Sequence, residues 1–132
     1  MKTKETPAAP RVLLADDSGL NLLVAQAFLE GFGIECDIVR DGTAALAKAL
    51  EGDYAAILLD IQMPGLDGCE VARRVRAREG KEEGRRVPIV AVTAYTRPDD
   101  LARFREAGID DFLAKPFEPS QLKAKLRTIL PG

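Results

Sequence analysis

Histidine is absent from all 132 residues of the sequence. This absence excludes Ser-His and Cys-His nucleophile pairs, histidine ligands to a metal, and a phosphohistidine carried by the chain itself. Cysteine is scarce, and Cys36 and Cys69 form no C-x-x-C pair. Because both cysteines lie among apolar residues, we interpret them as small buried thiols. Polar chemistry must therefore come from carboxylates, hydroxyl groups, lysine or arginine.

Long hydrophobic runs and a signal for export are also lacking. No stretch reaches the roughly 18 apolar residues that a membrane span needs. Residues 1–10, MKTKETPAAP, contain no apolar signal region and are expected to form a disordered tail or the remnant of a linker. We therefore expect a cytoplasmic protein that has no membrane partner and no disulfide.

An excess of positive charge is missing as well. Lys and Arg number 19 against 21 Asp and Glu, and the net charge of -2 argues against direct binding to nucleic acid. One local stretch, residues 73–86, contains seven basic and three acidic residues, a local charge of +4. No aromatic residues interleave with these charges, which favours a solvated helix face and loop over a nucleic-acid patch.

The sequence does contain short apolar runs that alternate with segments of helical periodicity. Its length is typical of a single domain. The predicted strands are residues 12–15, 36–39, 55–59, 89–92 and 111–114. The predicted helices are residues 19–32, 43–50, 68–78, 98–107 and 119–130. Thr96, followed three residues later by Asp99, resembles a capping box that begins the fourth helix.

The strands are continuously apolar, as expected when both faces of a parallel sheet are buried. Five strand–helix units therefore predict an α/β fold of the flavodoxin-like kind, with a doubly wound five-stranded parallel sheet of order 2-1-3-4-5 and helices on both faces. In such sheets the functional crevice lies outside the carboxyl ends of the strands, where the first and third strands are neighbours.

Polar residues stand at these strand ends. Asp16 and Asp17 follow the first strand, and Asp60 follows the third. Thr93 and Lys115 follow the fourth and fifth strands. Each residue alone has an ordinary explanation as a helix cap, a turn residue or a solvated charge. Together, however, they are expected at one edge of the sheet.

Three carboxylates a few ångströms apart repel by about 1 to 4 kcal/mol per pair, so the cluster needs a cation or raised pKa values. Oxygen ligands without histidine or cysteine suit Mg²⁺ or Mn²⁺. A carboxylate, a divalent cation, a lysine and a hydroxyl group are the components that bind and transfer a phosphoryl group.

Four motifs in this order resemble the receiver domains of bacterial two-component response regulators. They are residues 12–17 (VLLADD), 58–68 (LLDIQMPGLDG), 93–94 (TA) and 115–117 (KPF). The resemblance covers about residues 11–130. It implies a phosphoacceptor domain of a phosphorelay, a signalling domain rather than an enzyme, whose donor is a histidine kinase or a histidine phosphotransfer protein. It also implies a downstream partner that responds to the phosphorylated form.

The resemblance also implies the ligands of a Mg²⁺ ion, with Mn²⁺ as a substitute. Asp60 is the implied phosphoacceptor and an acidic ligand. Asp17 is an implied direct ligand, and Asp16 binds directly or through water. The backbone carbonyl of Gln62 is the implied remaining protein ligand.

Other roles follow from the same resemblance. Thr93 and Lys115 would contact the phosphoryl oxygens, and the small Ala94 would leave room for the donor. Phe112 matches an aromatic switch position, where a ring without a hydroxyl must act by packing alone; a simple core role is the alternative. The Lys115–Pro116 peptide bond is expected to be cis.

The lifetime of the phosphorylated form is expected to depend on Gln62 and Tyr95, which flank the approach of water to the phosphorus. Gln62 could orient or screen a water molecule. We predict that the Tyr95 ring covers the phosphoryl group, whereas the alternative is that this ring points outward as part of a partner surface.

Three rival functions are weaker. A phosphatase with an aspartate nucleophile needs a D-x-D-x-T motif, whereas Asp16 and Asp17 are adjacent. A nucleotide-binding module needs a glycine-rich phosphate motif, and the sequence has none. A receiver-like interaction module that is not phosphorylated would normally lack one of the acidic or lysine positions, and none is missing. A weaker resemblance, in residues 17–21 and 93–95, favours the receivers of hybrid sensor kinases. Because the sequence leaves no room for an output domain after the fifth predicted helix, the chain is expected to be a free-standing receiver or one excised from a larger protein.

Overall fold

Five strands alternate with five helices in the computed structural model, which describes residues 10–80 and 86–130. The strands are β1 (Arg11–Ala15), β2 (Glu35–Val39), β3 (Ala56–Asp60), β4 (Ile89–Thr93) and β5 (Asp111–Ala114). The helices are α1 (Gly19–Gly31), α2 (Gly42–Glu51), α3 (Gly68–Glu79), α4 (Pro98–Glu106) and α5 (Pro119–Ile129). The predicted tail, apart from Pro10, and most of the charged loop after α3 lie outside the described residues.

The strands form one parallel sheet in the order β2-β1-β3-β4-β5, which confirms the predicted topology. In the central pairing Ile57 lies opposite Ile89, and Asp60 lies opposite Val92. Because β1 and β3 are neighbours, Ala15 pairs with Leu59 and the chain segments after both strands emerge side by side. The topology therefore creates the crevice in which a site was expected.

Alternate residues of the strands enter two separate cores. Leu13, Ile57 and Ile89 belong to the core that contains residues from α2, α3 and α4. Val12 and Val90, the neighbours of two of these residues, belong to the core beneath α1 and α5. The inner strands β1, β3 and β4 are covered on both faces, so their apolar runs are nearly continuous, whereas the edge strands β2 and β5 are partly exposed.

Helix starts follow the sequence signals at most positions. Side-chain oxygens of Ser18, Asp41 and Asp67 accept backbone N–H groups at the starts of α1, α2 and α3. The predicted capping box at Thr96 and Asp99 is wrong by one residue. The carboxylate of Asp100 accepts the backbone N–H of Arg97 at 3.2 Å. Pro98 occupies the first helical position and holds the preceding Arg97 in an extended conformation, so the cap moves to Arg97.

The other predicted boundaries differ from the structure by one residue at most. The important differences are at the carboxyl ends of β3 and β4, where the ladder includes Asp60 and Thr93 as the last strand residues. Sheet hydrogen bonding therefore fixes the backbones of two candidate site residues. Across the described parts of the chain, we find no helix with the length and apolar character needed to cross a bilayer.

Candidate functional site

Three carboxylates meet at the carboxyl edge of the sheet. Asp16 and Asp17 follow β1, and Asp60 ends β3; one carboxylate oxygen from each residue lies within 4.8 Å of those of the other two. Asp16 and Asp60 are buried, whereas Asp17 is exposed. The structure therefore brings the three predicted carboxylates together and leaves one of them, Asp17, open to solvent.

Lys115 lies against this cluster at the end of β5. Its Nζ is 3.2 Å from Oδ2 of Asp16 and 3.5 Å from Oδ2 of Asp60. The backbone N–H of Lys115 donates to the carbonyl of Thr93 at 2.9 Å, which continues the pairing of β4 with β5. The Lys115–Pro116 bond is cis, as expected. The structure thus brings the predicted lysine into contact with two of the carboxylates.

The surroundings of Asp60 oppose its ionisation. Burial, and then the neighbouring carboxylate of Asp16, raise the pKa of Asp60 to about 6, although Lys115 and the backbone N–H of Gln62 act in the opposite direction. That N–H donates to Oδ1 of Asp60 at 3.2 Å. The single ammonium group therefore does not fully offset the crowding of the carboxylates, and the cluster still favours added positive charge.

The donor set fits a hard divalent cation. All three acidic side chains present oxygen atoms, and oxygen is the ligand that Mg²⁺ and Mn²⁺ prefer. Gln62, whose backbone carbonyl was the further predicted ligand, lies two residues after Asp60 in the adjoining loop and is exposed. These residues could hold the ion with room for water molecules.

Local hydrogen bonds orient the buried carboxylates. Oδ1 of Asp16 accepts the backbone N–H of Ser18 at 2.9 Å, and Oδ2 faces Nδ2 of Asn21 at 3.4 Å. Behind Asp60, Gly68 at the start of α3 is so close that a Cβ would lie 2.6 Å from the carbonyl oxygen of Asp60. A residue with a side chain at position 68 would therefore displace the strand end that carries Asp60.

Thr93, Ala94 and Tyr95 continue the edge at the end of β4. The Thr93 hydroxyl is buried and accepts the backbone N–H of Tyr95 at 2.9 Å. Ala94 is exposed and lines the same groove as Asp16 and Lys115. Tyr95 is 47% exposed. The shielding role of Tyr95 and the tuning role of Gln62 stay predictions.

Phe112 lies on β5 and packs against the core on the α4 side. Nζ of Lys125 is 5.4 Å from the centre of the Phe112 ring and 3.0 Å from both carboxylate oxygens of Asp111. This packing is compatible with both predictions for Phe112, a switch that acts by packing and a simple core residue.

An apolar groove of about 490 Å³ leads away from the site along α1. Leu20 and Val24 line it from the helix, and Pro116 and Phe117 line it from the loop after β5. Leu20 and Leu23 are 70% and 64% exposed, and Val24 is also exposed. We call Leu20, Leu23 and Val24 the α1 stripe. It is an uncovered apolar surface directly beside the polar cluster.

The basic stretch differs from the predicted solvated face at one position. Arg73 and Arg74 are exposed and pair with Glu70 on the same helix, as a solvated face would. Arg76 is only 13% exposed and pairs with Glu79 and Asp110, each at 2.7 Å. Its hydrocarbon stem and fork fill the space between α3 and the loop before β5, which is a structural role. Residues 81–85 lie outside the described part.

Two residues beside the cluster, Asn21 and Arg40, were not assigned a role at the site from the sequence. Asn21 faces Asp16, and Nη2 of Arg40 donates to the backbone carbonyl of Asp17 at 3.1 Å. Arg40 directly follows β2, the neighbour of β1, so its place at the same sheet edge was the available signal.

Comparison with known proteins relates the chain to one family. The family model described as "Response regulator receiver domain" matches residues 12–127. The chain is 39% identical over 114 residues to sensor protein GacS of Pseudomonas syringae pv. syringae, with 86% of this chain and 13% of GacS covered. It is 34% identical over 129 residues to transcriptional regulatory protein ResD of Bacillus subtilis, with 98% and 50% covered. The chain thus spans half or less of these curated relatives.

Solved structures agree with this relationship. The receiver domain of sensor histidine kinase PA1611 from Pseudomonas aeruginosa, which has a magnesium ion coordinated in its active site cleft, superposes with a TM-score of 0.83 at 38% identity. That match covers 92% of this chain and 98% of the PA1611 domain. The chemotaxis protein CheY4 of Vibrio cholerae gives a TM-score of 0.84 at 31% identity, covering 93% of this chain and all of CheY4.

Proposed function

The chain belongs to the response regulator receiver domain family, the signalling domains of two-component systems, and from this premise we propose that Asp60 is its phosphoacceptor. The phosphoryl group comes from a phosphohistidine on a histidine kinase or a histidine phosphotransfer protein. The acceptor domain spans residues 11–130, and its phosphorylated form acts on a downstream partner. Both kinds of relative, sensor kinases and transcriptional regulators, contain such a domain within a longer chain.

One observation carries the proposal: the buried carboxylate of Asp60 lies 3.5 Å from Nζ of Lys115 at the open edge of the sheet. A carboxylate that served only the fold would not need a lysine, two more carboxylates and solvent access beside it. This arrangement supports a nucleophile that receives a highly charged group.

The transfer is an in-line displacement at phosphorus. A carboxylate oxygen of Asp60 attacks the phosphorus atom, the new P–O bond forms, and the P–N bond of the donor breaks. The electron pair of the P–N bond remains on the imidazole nitrogen, and the imidazole leaves as a neutral ring when its other nitrogen carries a proton. Lys115 then transfers its charge-assisted hydrogen bond from the carboxylate to a phosphoryl oxygen.

Mg²⁺ is the proposed cofactor, and Mn²⁺ can replace it. Asp16, Asp17, Asp60 and the backbone carbonyl of Gln62 are the proposed ligands. When bound, the ion supplies positive charge that stabilises the phosphoryl oxygens during transfer. The all-oxygen donor set supports this choice.

Residues of β4 and β5 respond to the new charge in this proposal. The Thr93 hydroxyl, which accepts the N–H of Tyr95 in the structure, turns towards the phosphoryl oxygens as a donor. Ala94 leaves the donor a path to Asp60. Phe112 packs into space that Thr93 vacates, so the switch acts through the core. Gln62 and Tyr95 control the access of water.

The α1 stripe is the proposed docking surface for the phosphohistidine donor. The groove beside it is lined by both Lys115 and Leu20, so apolar contact with the donor and the reacting groups share one continuous surface. A donor helix with an apolar face would cover the stripe and place its histidine over Asp60.

The domain assists its own phosphorylation and hydrolysis without acting on a separate substrate. It binds no nucleic acid directly and has no membrane partner. A cytoplasmic location is part of the proposal.

The test is intact-mass measurement of the protein incubated with Mg²⁺ and phosphoramidate. We expect the added mass of one phosphoryl group in the wild type and in Asp99→Asn, an exposed position on α4. We expect none in Asp60→Asn. Addition to Asp60→Asn at the wild-type rate would contradict the proposal, and a wild type that never gains the mass would favour a receiver-like interaction module instead.

A further inference from the structure

The three carboxylates of the cluster are held in different ways. Asp16 accepts hydrogen bonds from Ser18 and Asn21 and contacts Lys115. Asp60 accepts the N–H of Gln62 and also contacts Lys115. The carboxylate of Asp17 has no hydrogen-bond or ion-pair partner within residues 10–80 and 86–130, and it is exposed. The position of Asp17 therefore depends on its backbone.

Arg40 holds that backbone. Its Nη2 donates to the carbonyl oxygen of Asp17 at 3.1 Å. Its guanidinium also lies over the start of α1, 3.5 Å from the place that a Cβ on Gly19 would occupy. The guanidinium thus covers the turn between β1 and α1 on both sides of Ser18.

Arg40 is itself fixed by the residues around it. The backbone N–H of Asp16 donates to the carbonyl of Val39 at 3.2 Å, which extends the pairing of β1 with β2 by one bond. On the other side of Arg40, the carboxylate of Asp41 accepts the N–H of Ala44 and caps α2. Arg40 therefore starts from a rigid backbone and reaches across to the turn.

We infer that Arg40 is a positioning residue for the metal site: it fixes the backbone of Asp17 so that the unpartnered carboxylate points at the cation. This inference rests on the proposed function, because it assumes that Asp17 is a ligand. Residues that orient ligands from outside typically affect metal affinity without contacting the metal. Arginine suits this role because its planar fork donates in a fixed direction.

The positive charge of Arg40 lowers the affinity of the site for a cation, whereas its hydrogen bond to Asp17 raises that affinity. These opposite signs make the inference testable. A positive group beside a divalent cation repels it, so loss of that charge alone would tighten cation binding. Loss of the positioning bond would weaken it, because Asp17 would have to be ordered when the ion binds. The sign of the change therefore distinguishes the two effects.

The experiment is titration of the purified protein with Mn²⁺, followed by the electron paramagnetic resonance signal of the free ion. Wild type, Arg40→Ala, Arg40→Lys, Arg127→Ala and Asp17→Ala are compared. Arg127→Ala removes the same charge from an exposed position in the last turn of α5. Asp17→Ala removes the ligand itself and calibrates the largest expected loss.

We expect Arg40→Ala to raise the dissociation constant for Mn²⁺ by about tenfold, the lower end of the effect of residues that orient metal ligands. Arg40→Lys should recover part of that loss, because lysine keeps one donor and the charge. Arg127→Ala should bind as the wild type does, and urea unfolding in EDTA should show that Arg40→Ala is fully folded under the conditions of the titration. Equal or tighter binding by Arg40→Ala would overturn the inference. A wild type that binds no Mn²⁺, or an Asp17→Ala variant with unchanged affinity, would instead overturn the proposed metal site.

Discussion

Formal charge at the site sets what it can bind. Asp16, Asp17 and Asp60 contribute three negative charges, and Lys115 contributes one positive charge. The remainder of -2 equals the charge that a divalent cation balances. At separations within 4.8 Å, each carboxylate pair repels by about 1 to 4 kcal/mol depending on solvent access. The protein retains this unfavourable arrangement at an open edge, which is expected of residues kept for chemistry rather than for stability.

Tyr95 gives a prediction about the lifetime of the aspartyl phosphate. Tyr95 is 47% exposed, and its backbone N–H donates a hydrogen bond to the Thr93 hydroxyl. If the ring shields the phosphorus from water, Tyr95→Ala should speed phosphate release by a few-fold to tenfold, which corresponds to roughly 1 kcal/mol of barrier. Phosphate release from the purified phosphoprotein measures this rate.

Tyr95→Phe is the matched control, because it keeps the ring and should retain the wild-type rate. Affinity for Mg²⁺ should be unchanged in both variants. A rate for Tyr95→Ala that is equal to or slower than that of wild type would show that the ring serves a partner surface instead.

At the scale of single elements, the amino edge of the sheet depends on Arg76. Its guanidinium donates to the carbonyls of Gly108 and Val87 at 2.9 and 2.8 Å and pairs with Glu79 and Asp110. Arg76→Ala would leave Glu79 without its arginine partner and Asp110 with only the exposed Arg86. We expect a loss of about 3 kcal/mol in the free energy of unfolding by urea.

Arg73→Ala is the control for that variant. Arg73 lies on the same helix, but its side chain is half exposed and its partner Glu70 is also near the surface. This change should cost less than about 0.5 kcal/mol. Similar losses in the two variants would mean that the Arg76 contacts contribute no more than a surface ion pair.

The edge strand β2 is fixed by a bond between Tyr54 and Asp37. The hydroxyl of Tyr54 donates to Oδ2 of Asp37 at 2.6 Å. Burial, and then this bond, raises the pKa of Tyr54 well above its ordinary value. Tyr54→Phe should therefore lower the free energy of unfolding by about 1 kcal/mol near neutral pH.

The pH dependence of that difference has a definite sign. Below the ordinary tyrosine pKa of about 10, both the folded and unfolded states keep the proton, and the full contribution is present. As the pH rises further, the unfolded chain ionises first, and the wild type loses stability that Tyr54→Phe never had. Urea unfolding at several pH values checks this. A gap between wild type and Tyr54→Phe that widens above pH 10 would contradict the assignment.

Sequence patterns predicted the elements well because each strand and helix has its own local periodicity. The sheet order and the meeting of Asp16, Asp17, Asp60 and Lys115 followed from those elements and the general rule for parallel sheets. The cap of α4 was misplaced because the effect of Pro98 on Arg97 outweighed the Thr96 and Asp99 pattern. The contacts of Arg40 with the turn after β1, and of Arg76 with the amino edge, join distant residues and leave no periodic signal.

Across the whole molecule, the reacting groups and the α1 stripe occupy one side. Partner docking should therefore be separable from the chemistry. Leu23→Glu places a charge on the stripe at a side chain that is 64% exposed and absent from both cores. We expect this variant to accept the phosphoryl group from a phosphohistidine protein at least tenfold more slowly. Docking of the donor would remove the new carboxylate from water, which costs free energy.

Phosphoramidate is the control donor for this variant, because it is too small to use the stripe. Phosphorylation of Leu23→Glu by phosphoramidate should proceed at the wild-type rate. Equal slowing with both donors would place the defect in the site, and no slowing with either would remove the stripe as the docking surface.

The most direct test of the central claim identifies the modified residue chemically. Reduction of the phosphorylated protein with borohydride converts an aspartyl phosphate to homoserine, which tandem mass spectrometry locates in the chain. We predict homoserine at position 60 and at no other aspartate, and only when Mg²⁺ was present during phosphorylation. Homoserine at another position, or a phosphoryl group that resists reduction while position 60 remains aspartate, would contradict the assignment of Asp60 as the phosphoacceptor.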